Sequence, residues 1–442
     1  MRKIVTITLL FFVTGLWAQP FEMDTIQWSG PVTERINFVF LGDGYQENEF
    51  SKFVADVTRV KDHFFTQSPF QEYRQYFNLV AIKVPSNASG AARDPSELID
   101  NYFGSTYNSS GIDRLLTATN ASKAQDILFD QFPQFDQAVL IVNDSKYGGS
   151  GGWLATTSTH LNAPEIAVHE LGHSFAGLSD EYWAGAQFAS ETPNMTKQSD
   201  PHQIIWAEWL ATQEVGIYPH SDDPTWFKPH LNCKMQVLNP PFCPVCREAI
   251  TQEIQTHVKP LISYWPEVPA IELEVDTLKV YTNTLSPQPN TLSHSWSLNG
   301  LPMDGTSDTL WISASTFANG ENILQVEIRD TTSFVRDDIY TAQYVCTVIW
   351  KIFKDATTSV AVKTSVRARI YPNPFSESIN IELDTWKGES VRLVDNLGKV
   401  VWLQELNGES KYQLNLSMVP VGIYLLQVFS NDRIYTETII KR

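Results

Sequence analysis

Three kinds of hydrophobic pattern follow one another along this chain. Arg35-Ile36-Asn37-Phe38-Val39-Phe40-Leu41 is an almost continuous apolar run, ended by Gly42-Asp43-Gly44. Such a short run closed by glycines predicts a strand buried on both faces and then a turn. From Glu49 to Thr66, Phe50, Phe53, Val54, Val57, Val60 and Phe64 recur at helical spacing, which predicts a helix with one face in a core. Tyr76 to Val84 and Gln137 to Val142 read as two further strands. Strands alternating with helices argue for an α/β arrangement. Ser86 to Gly111, rich in Ser, Asn, Gly and Ala, predicts a long irregular segment. Near residue 260 the pattern changes: Pro260, Pro266 and Pro269 punctuate the chain and helical spacing disappears. Short alternating runs follow at Ile271–Val275, His294–Leu298, Ile323–Ile328 and Tyr344–Trp350, with turns such as Asn299-Gly300 and Asn319-Gly320 between them. That is the pattern of a small β-sandwich.

One stretch carries chemistry. Glu165 to Trp183 contains His169-Glu170-Leu171-Gly172-His173, with Ile166, Leu171 and Phe175 available to face a core. On a helix, residues four apart share a face, so His169 and His173 can aim two imidazoles at one Zn²⁺. Glu170 lies between them as a general base for a water held there. In the extended form of this pattern a third ligand follows three residues beyond a Gly that ends the helix. Gly177 precedes Asp180 by three residues, although it lies four residues after His173, one more than that form has. Asp180 is therefore the expected third ligand. Glu181 is its close competitor, in which case Asp180 would support a ligating His. Upstream, Gly148-Gly149-Ser150-Gly151-Gly152 lets a backbone approach something closely; a sheet edge near residues 147–158, on which an extended substrate pairs, is the expectation. No Lys-Ser/Thr follows these glycines, so a phosphate-binding loop is excluded. Residues 184–232 carry Trp206, Trp209, Tyr218, His220, Trp226 and His230 and are expected to form a wall of the cleft; Tyr182 or Tyr218 is placed to support an oxyanion.

The run from His169 to Trp183 resembles the IgA-peptidase family of metzincin-type zinc metallopeptidases. So do Phe40-Leu-Gly-Asp-Gly-Tyr45, Lys228-Pro-His-Leu-Asn-Cys-Lys-Met235 and Phe242-Cys-Pro-Val-Cys-Arg247. These blocks span about the first 255 residues. The resemblance implies a zincin-type fold and zinc-dependent endopeptidase activity, and it places Met235 in the Met-turn under the metal. It does not fix the substrate.

Composition narrows the setting. The 442 residues carry a net charge of −18, which argues against nucleic acid as a partner. Arg2-Lys3 followed by an apolar run from Ile4 to Trp17 reads as a secretory signal peptide, residues 1–18, with cleavage near Ala18. No other stretch approaches the ~20 apolar residues of a membrane helix. In an exported protein cysteines default to disulfides. Of Cys233, Cys243, Cys246 and Cys346, a bond from Cys233 to Cys243 or Cys246 is expected. Cys243-Pro-Val-Cys246 has zinc-ribbon spacing, but a second matching pair is missing, so a Cys₄ zinc site is not indicated.

Ile370-Tyr-Pro-Asn-Pro-Phe375, Val391 to Val401, Gly422 to Val428 and the closing Lys441-Arg442 closely resemble the C-terminal sorting domain of the type IX secretion system of Bacteroidetes. That resemblance implies passage across the outer membrane, then release or surface attachment. The expected architecture is thus multidomain. An α/β (α+β) zincin-type metallopeptidase domain spans residues 19–259 and an Ig-like β-sandwich 260–356. A linker at 357–366 leads to a C-terminal β-sandwich sorting domain at 367–442. The expected activity is hydrolysis of peptide bonds in extracellular proteins, with His169, His173 and Asp180 on Zn²⁺ and Glu170 as base. The competing reading is a surface-displayed binding protein with a degenerate metal site. A Glu between the two His speaks against it, because a structural ion has no use for a base.

Overall fold

The computed structural model describes residues 20–268, 270–355, 368–383, 387–395, 399–430 and 433–442. Residues 1–18, read above as a signal peptide, and 357–366, read as a linker, lie outside the described residues. The chain divides into two compact units, Met1–Ala356 and Thr357–Arg442.

The first unit is built on a six-stranded mixed sheet. Its strands are β1 (Glu22–Gln27), β2 (Ile36–Asp43), β3 (Phe77–Lys83), β4 (Gln137–Val142), β5 (Gly149–Ser150) and β6 (Leu154–Thr157), in the order β1-β3-β2-β4-β6-β5. The central strands run parallel, and the two edge strands are antiparallel to their neighbours. Every residue of β2 is buried, as its unbroken apolar run predicts for a strand covered on both faces. Side chains alternate across it. Phe38 and Phe40 join one core with α1 (Phe50–Phe64), α3 (Ala163–Ala176) and α4 (Pro244–His257). Val39 and Leu41 join a second core with α2 (Ala121–Gln131) on the other face. The irregular segment 86–111 holds only a two-residue strand, Ser105–Thr106, and a short 3₁₀ turn.

Helix α3 is held firmly. Pro164 sits in its first turn with Glu165 beside it, where a missing N–H costs nothing and a negative charge meets the positive end of the helix dipole. Phe175 packs edge-on against Phe38 at 5.6 Å, and Ile166, Val168 and Leu171 are buried. Gly177 ends the helix in a left-handed conformation at φ 62°, which glycine adopts without steric cost.

Residues 261–354 add two sheets around a shared core that includes Val280, Trp296, Ile312, Leu324, Val326 and Trp350. One has three strands and the other five. They pack on the preceding part of the same unit: Tyr76 donates to the Leu285 carbonyl (2.6 Å) and the Arg336 amide to Glu248 (2.6 Å). Trp206 and Trp209, expected in a cleft wall, are instead core residues of this unit, each below 2% exposed. Their indole N–H groups are satisfied by the Gly216 carbonyl and Glu248.

The second unit has a three-stranded and a four-stranded sheet around one core containing Ile379, Ile381, Leu393, Leu414, Leu426, Val428 and Ile439. The Lys441 ammonium is buried and donates to the carbonyls of Leu416, Ser417 and Val419, closing the penultimate residue onto a turn.

Candidate metal centre and active site

Helix α3 places His169 and His173 one turn apart, with their Nε2 atoms 3.2 Å from each other. Gly177 turns the chain back, so that Asp180 Oδ1 lies 3.2 Å from His169 Nε2 and 3.3 Å from His173 Nε2. The three expected ligand atoms thus form a nearly equilateral triangle. Ligands about 2.0–2.1 Å from a tetrahedral zinc stand about 3.3 Å apart, so the donor set fits that ion. Asp180 Oδ1 is buried and takes no hydrogen bond of good geometry, an orphaned anion of the kind a cation completes.

The far side of each imidazole is fixed by backbone. His173 Nδ1 faces the Leu178 carbonyl at 2.7 Å, and His169 Nδ1 faces the Lys234 carbonyl at 3.0 Å. Donation from Nδ1 leaves the Nε2 lone pair for a metal. Lys234 precedes Met235, which is fully buried. Met235 rests directly on α3: a β-carbon at Gly172 would stand 2.7 Å from its Sδ, so glycine is what admits this approach without a shift.

Electrostatics reflects the crowding. Burial lowers the His173 pKa, but Asp180, Glu170 and the Leu178 carbonyl outweigh it and lift the imidazole to about 9. Burial raises Asp180, yet the two imidazoles beside it hold it well below the usual carboxylate range. For Glu170 burial wins against the neighbouring imidazoles and pushes the carboxyl up. An ion bound by these groups would displace protons from them.

Strand β5 explains the glycine run. A β-carbon at Gly151 would lie 3.0 Å from Glu170 Oε2 and 3.3 Å from His173 Cβ, and one at Gly149 2.6 Å from Ile166 Cγ2. Small residues are what let this sheet edge lie against the Glu170 face of α3. At Gly149 the outer edge is already bridged by Leu115. Tyr182, proposed beside an oxyanion, hydrogen-bonds with Arg114 and borders Asp180; burial and then the Asp180 charge push its phenol up to about 12. Arg114 carries no sequence signal, since it reaches the site from 63 residues upstream of Gly177 by folding alone. Tyr218 instead donates to its own neighbour, the Glu214 carbonyl.

Glu181 does not share the His169–His173 cluster. It is wholly buried among Cys233, Cys243 and Cys246. The expected disulfide is not formed: all four cysteines are free, and Cys233 Sγ and Cys246 Sγ stand 3.7 Å apart, against about 2.05 Å for a bond. Sequence spacing missed this group because its carboxylate lies more than fifty residues before the first cysteine.

Two His and an Asp converge on one point as a donor set that could hold a metal ion, with a Glu alongside. Comparison with known proteins agrees. Residues 25–224 match the family described as IgA Peptidase M64, and residues 369–442 match the secretion system C-terminal sorting domain. Both coincide with the resemblances carried by the sequence blocks; they point to a metallopeptidase and to secretion through the type IX machinery or attachment at the cell surface. The first match ends before Met235 and the cysteines. Among curated proteins, the chain is 29% identical over 97 residues to an endo-acting ulvan lyase of Formosa agariphila, covering 21% of this chain and 19% of that one. It is 25% identical over 150 residues to an ulvan lyase of Nonlabens ulvanivorans, covering 33% and 27%. The chain therefore spans less than a third of either relative. Solved structures that match include β-glucuronidase 3 of Bacteroides uniformis (10% identity, 49% of this chain and 28% of that one, TM-score 0.18). Fibronectin(III)-like modules of Clostridium thermocellum CbhA match at 13% identity, 41% and 93% coverage and a TM-score of 0.19. At these scores neither carries an argument. Among the described residues no helix is long and apolar enough to cross a membrane.

Proposed function

We propose that the protein is a secreted zinc-dependent metalloendopeptidase acting on extracellular proteins, with residues 19–259 as a zincin-type catalytic domain and 260–356 as an Ig-like spacer. The observation that carries this reading is the 3.2–3.3 Å triangle of His169, His173 and Asp180 beside Glu170. Those three residues would hold Zn²⁺. When bound, the ion lowers the pKa of a water towards neutrality and polarises a peptide carbonyl. Glu170 accepts the proton of the attacking water and delivers it to the leaving amine. Its burial favours that role by raising the proton affinity of the carboxylate, which suits a group that must first take a proton and then give it up. Tyr182 and Arg114 sit where hydrogen bonds can orient a substrate carbonyl. Partial exposure of the three ligands, 12%, 22% and 18% of their side chains, leaves the substrate a way in.

The test uses the full chain and its Glu170→Gln variant on unfolded casein, with metal content measured in both. Cleavage by the parent, and a loss of at least about a hundredfold in the variant at unchanged metal content, is the expected result. Equal cleavage by both would remove Glu170 as the base. Metal without cleavage in either would favour a binding protein with a degenerate site.

A further inference from the structure

The structure assigns a second metal site to this chain: Glu181, Cys233, Cys243 and Cys246 form a buried, closed four-ligand site for a structural Zn²⁺. One donor atom from each lies within 4.8 Å of all the others. Cys233 Sγ and Cys246 Sγ are 3.7 Å apart. Two thiolates about 2.3 Å from a tetrahedral zinc stand about 3.8 Å apart, and a thiolate and a carboxylate oxygen about 3.6 Å. Glu181 Oε1 lies 3.2 Å from Cys246 Sγ and 3.8 Å from Cys243 Sγ, bracketing that value.

The surroundings suit anionic sulfur. Backbone amides of Cys243 and Met235 point at Cys233 Sγ, at 3.3 and 3.5 Å. Cys243 caps α4 and Cys246 lies in its first turn, so the positive end of that helix favours their thiolates. Asn194 Nδ2 donates to Glu181 Oε1 at 3.3 Å. The buried ammonium of Lys228 donates to the Glu181 carbonyl at 2.7 Å, placing a positive charge beside a group that binds a 2+ ion with four anions. Binding releases the thiol protons to solvent.

Without an ion the same residues make poor sense. Glu181 is fully buried, and its Oε2 has no hydrogen-bond partner; a buried carboxylate without compensation is costly. A disulfide does not repair this. Joining Cys233 to Cys246 would leave the Cys243 thiol and the Glu181 carboxylate buried together, with Oε2 still without a partner. An ion satisfies all four groups. It would tie together the segment carrying Asp180, the loop carrying Met235 and helix α4.

The test measures zinc in the full-length protein and in its His169→Ala/His173→Ala variant, with mass spectrometry of alkylated, unreduced protein to detect disulfides. Two zinc ions in the parent, one in the variant and free Cys233, Cys243 and Cys246 are expected. Cobalt loaded into the same variant should show thiolate-to-cobalt charge-transfer absorption, which histidine and carboxylate ligands do not give. Adding Cys246→Ser should abolish both the zinc and the absorption; should that variant not fold, the cobalt spectrum of the double-histidine variant decides. A folded double-histidine variant that binds no zinc and gives no such absorption overturns the site. So does a Cys233–Cys246 disulfide in the purified parent. These readouts do not depend on peptidase activity, so an inactive parent with cysteine-bound zinc would sink the proposed function and leave this site standing.

Discussion

Asp180 and Glu181 are joined by one peptide bond and end in unlike surroundings. Asp180 meets two imidazoles whose side chains remain 12% and 22% exposed. Glu181 meets three cysteines that are each 3% exposed or less. The first cluster offers three ligands and an open side; the second offers four and none. Catalytic zinc sites keep a vacant position while structural sites are closed, so under the two proposals accessibility and ligand count would give the clusters different work although their carboxylates are sequence neighbours. Softness divides them in the same sense, nitrogen and oxygen at one, three sulfurs with a single carboxylate oxygen at the other.

The sharpest way to break this division is to alter each carboxylate alone. Asp180→Ala should lower casein cleavage by at least about a hundredfold, since loss of a ligand exceeds the 10–100-fold typical of supporting residues, while the cysteine-bound zinc stays, as elemental analysis would show. Glu181→Gln should do the opposite. Cleavage per folded chain should change little, while a strong chelator strips the cysteine-bound zinc about tenfold faster or more. If Glu181→Gln abolished cleavage with zinc still at the histidines, the two clusters could not be treated as separate.

A smaller effect is expected at Gly172, where a β-carbon would press on Met235 Sδ at 2.7 Å. Gly172→Ala should cost about 1–3 kcal/mol, read as a lower thermal midpoint. Because the Met235 carbonyl accepts from the Glu181 amide at 2.7 Å, both metals should be lost more readily. Unchanged metal retention would show that the Met235 loop does not support them.

The smallest effect concerns His257, at the end of the helix that carries Cys246. Its ring stacks on Phe175 of α3 at 5.7 Å. Hydrogen bonds to Asp136 and then Glu253 outweigh burial and raise it to about 9 from an ordinary 6.5. A raised pKa adds stability that is fully present below the unfolded value and disappears as pH climbs through the folded one. His257→Gln should therefore cost about 0.5–1 kcal/mol near pH 6, and nothing measurable above about pH 9, in denaturant titrations at the two pH values.

The parts that could be read from residues alone are those where one local pattern suffices. Strand β2 follows from an unbroken apolar run, helix α3 from a motif laid over an apolar stripe, and the placement of Asp180 beside the two histidines from its distance to a helix-ending glycine. Strand β1, with polar residues at alternate positions, and helix α2, with its short apolar face, gave weaker patterns and were not anticipated. The cysteine group escaped for a different reason. Its ligands come from three segments, the fourth donor is a carboxylate, and the compartment alone argued for a disulfide that the 3.7 Å sulfur separation does not contain. Arg114 likewise reaches the site only through the fold.

The adjacency of Asp180 and Glu181 also bears on how this turn can change over generations. Substitutions there test one pocket at a time. Deleting a single residue between His173 and Asp180 would offer the long acid Glu181 to the histidines and Tyr182 to the cysteines, and inserting one would offer Ser179 to the histidines and the short acid Asp180 to the cysteines. Descendants of this chain should therefore vary in the letters of that turn far more readily than in its length.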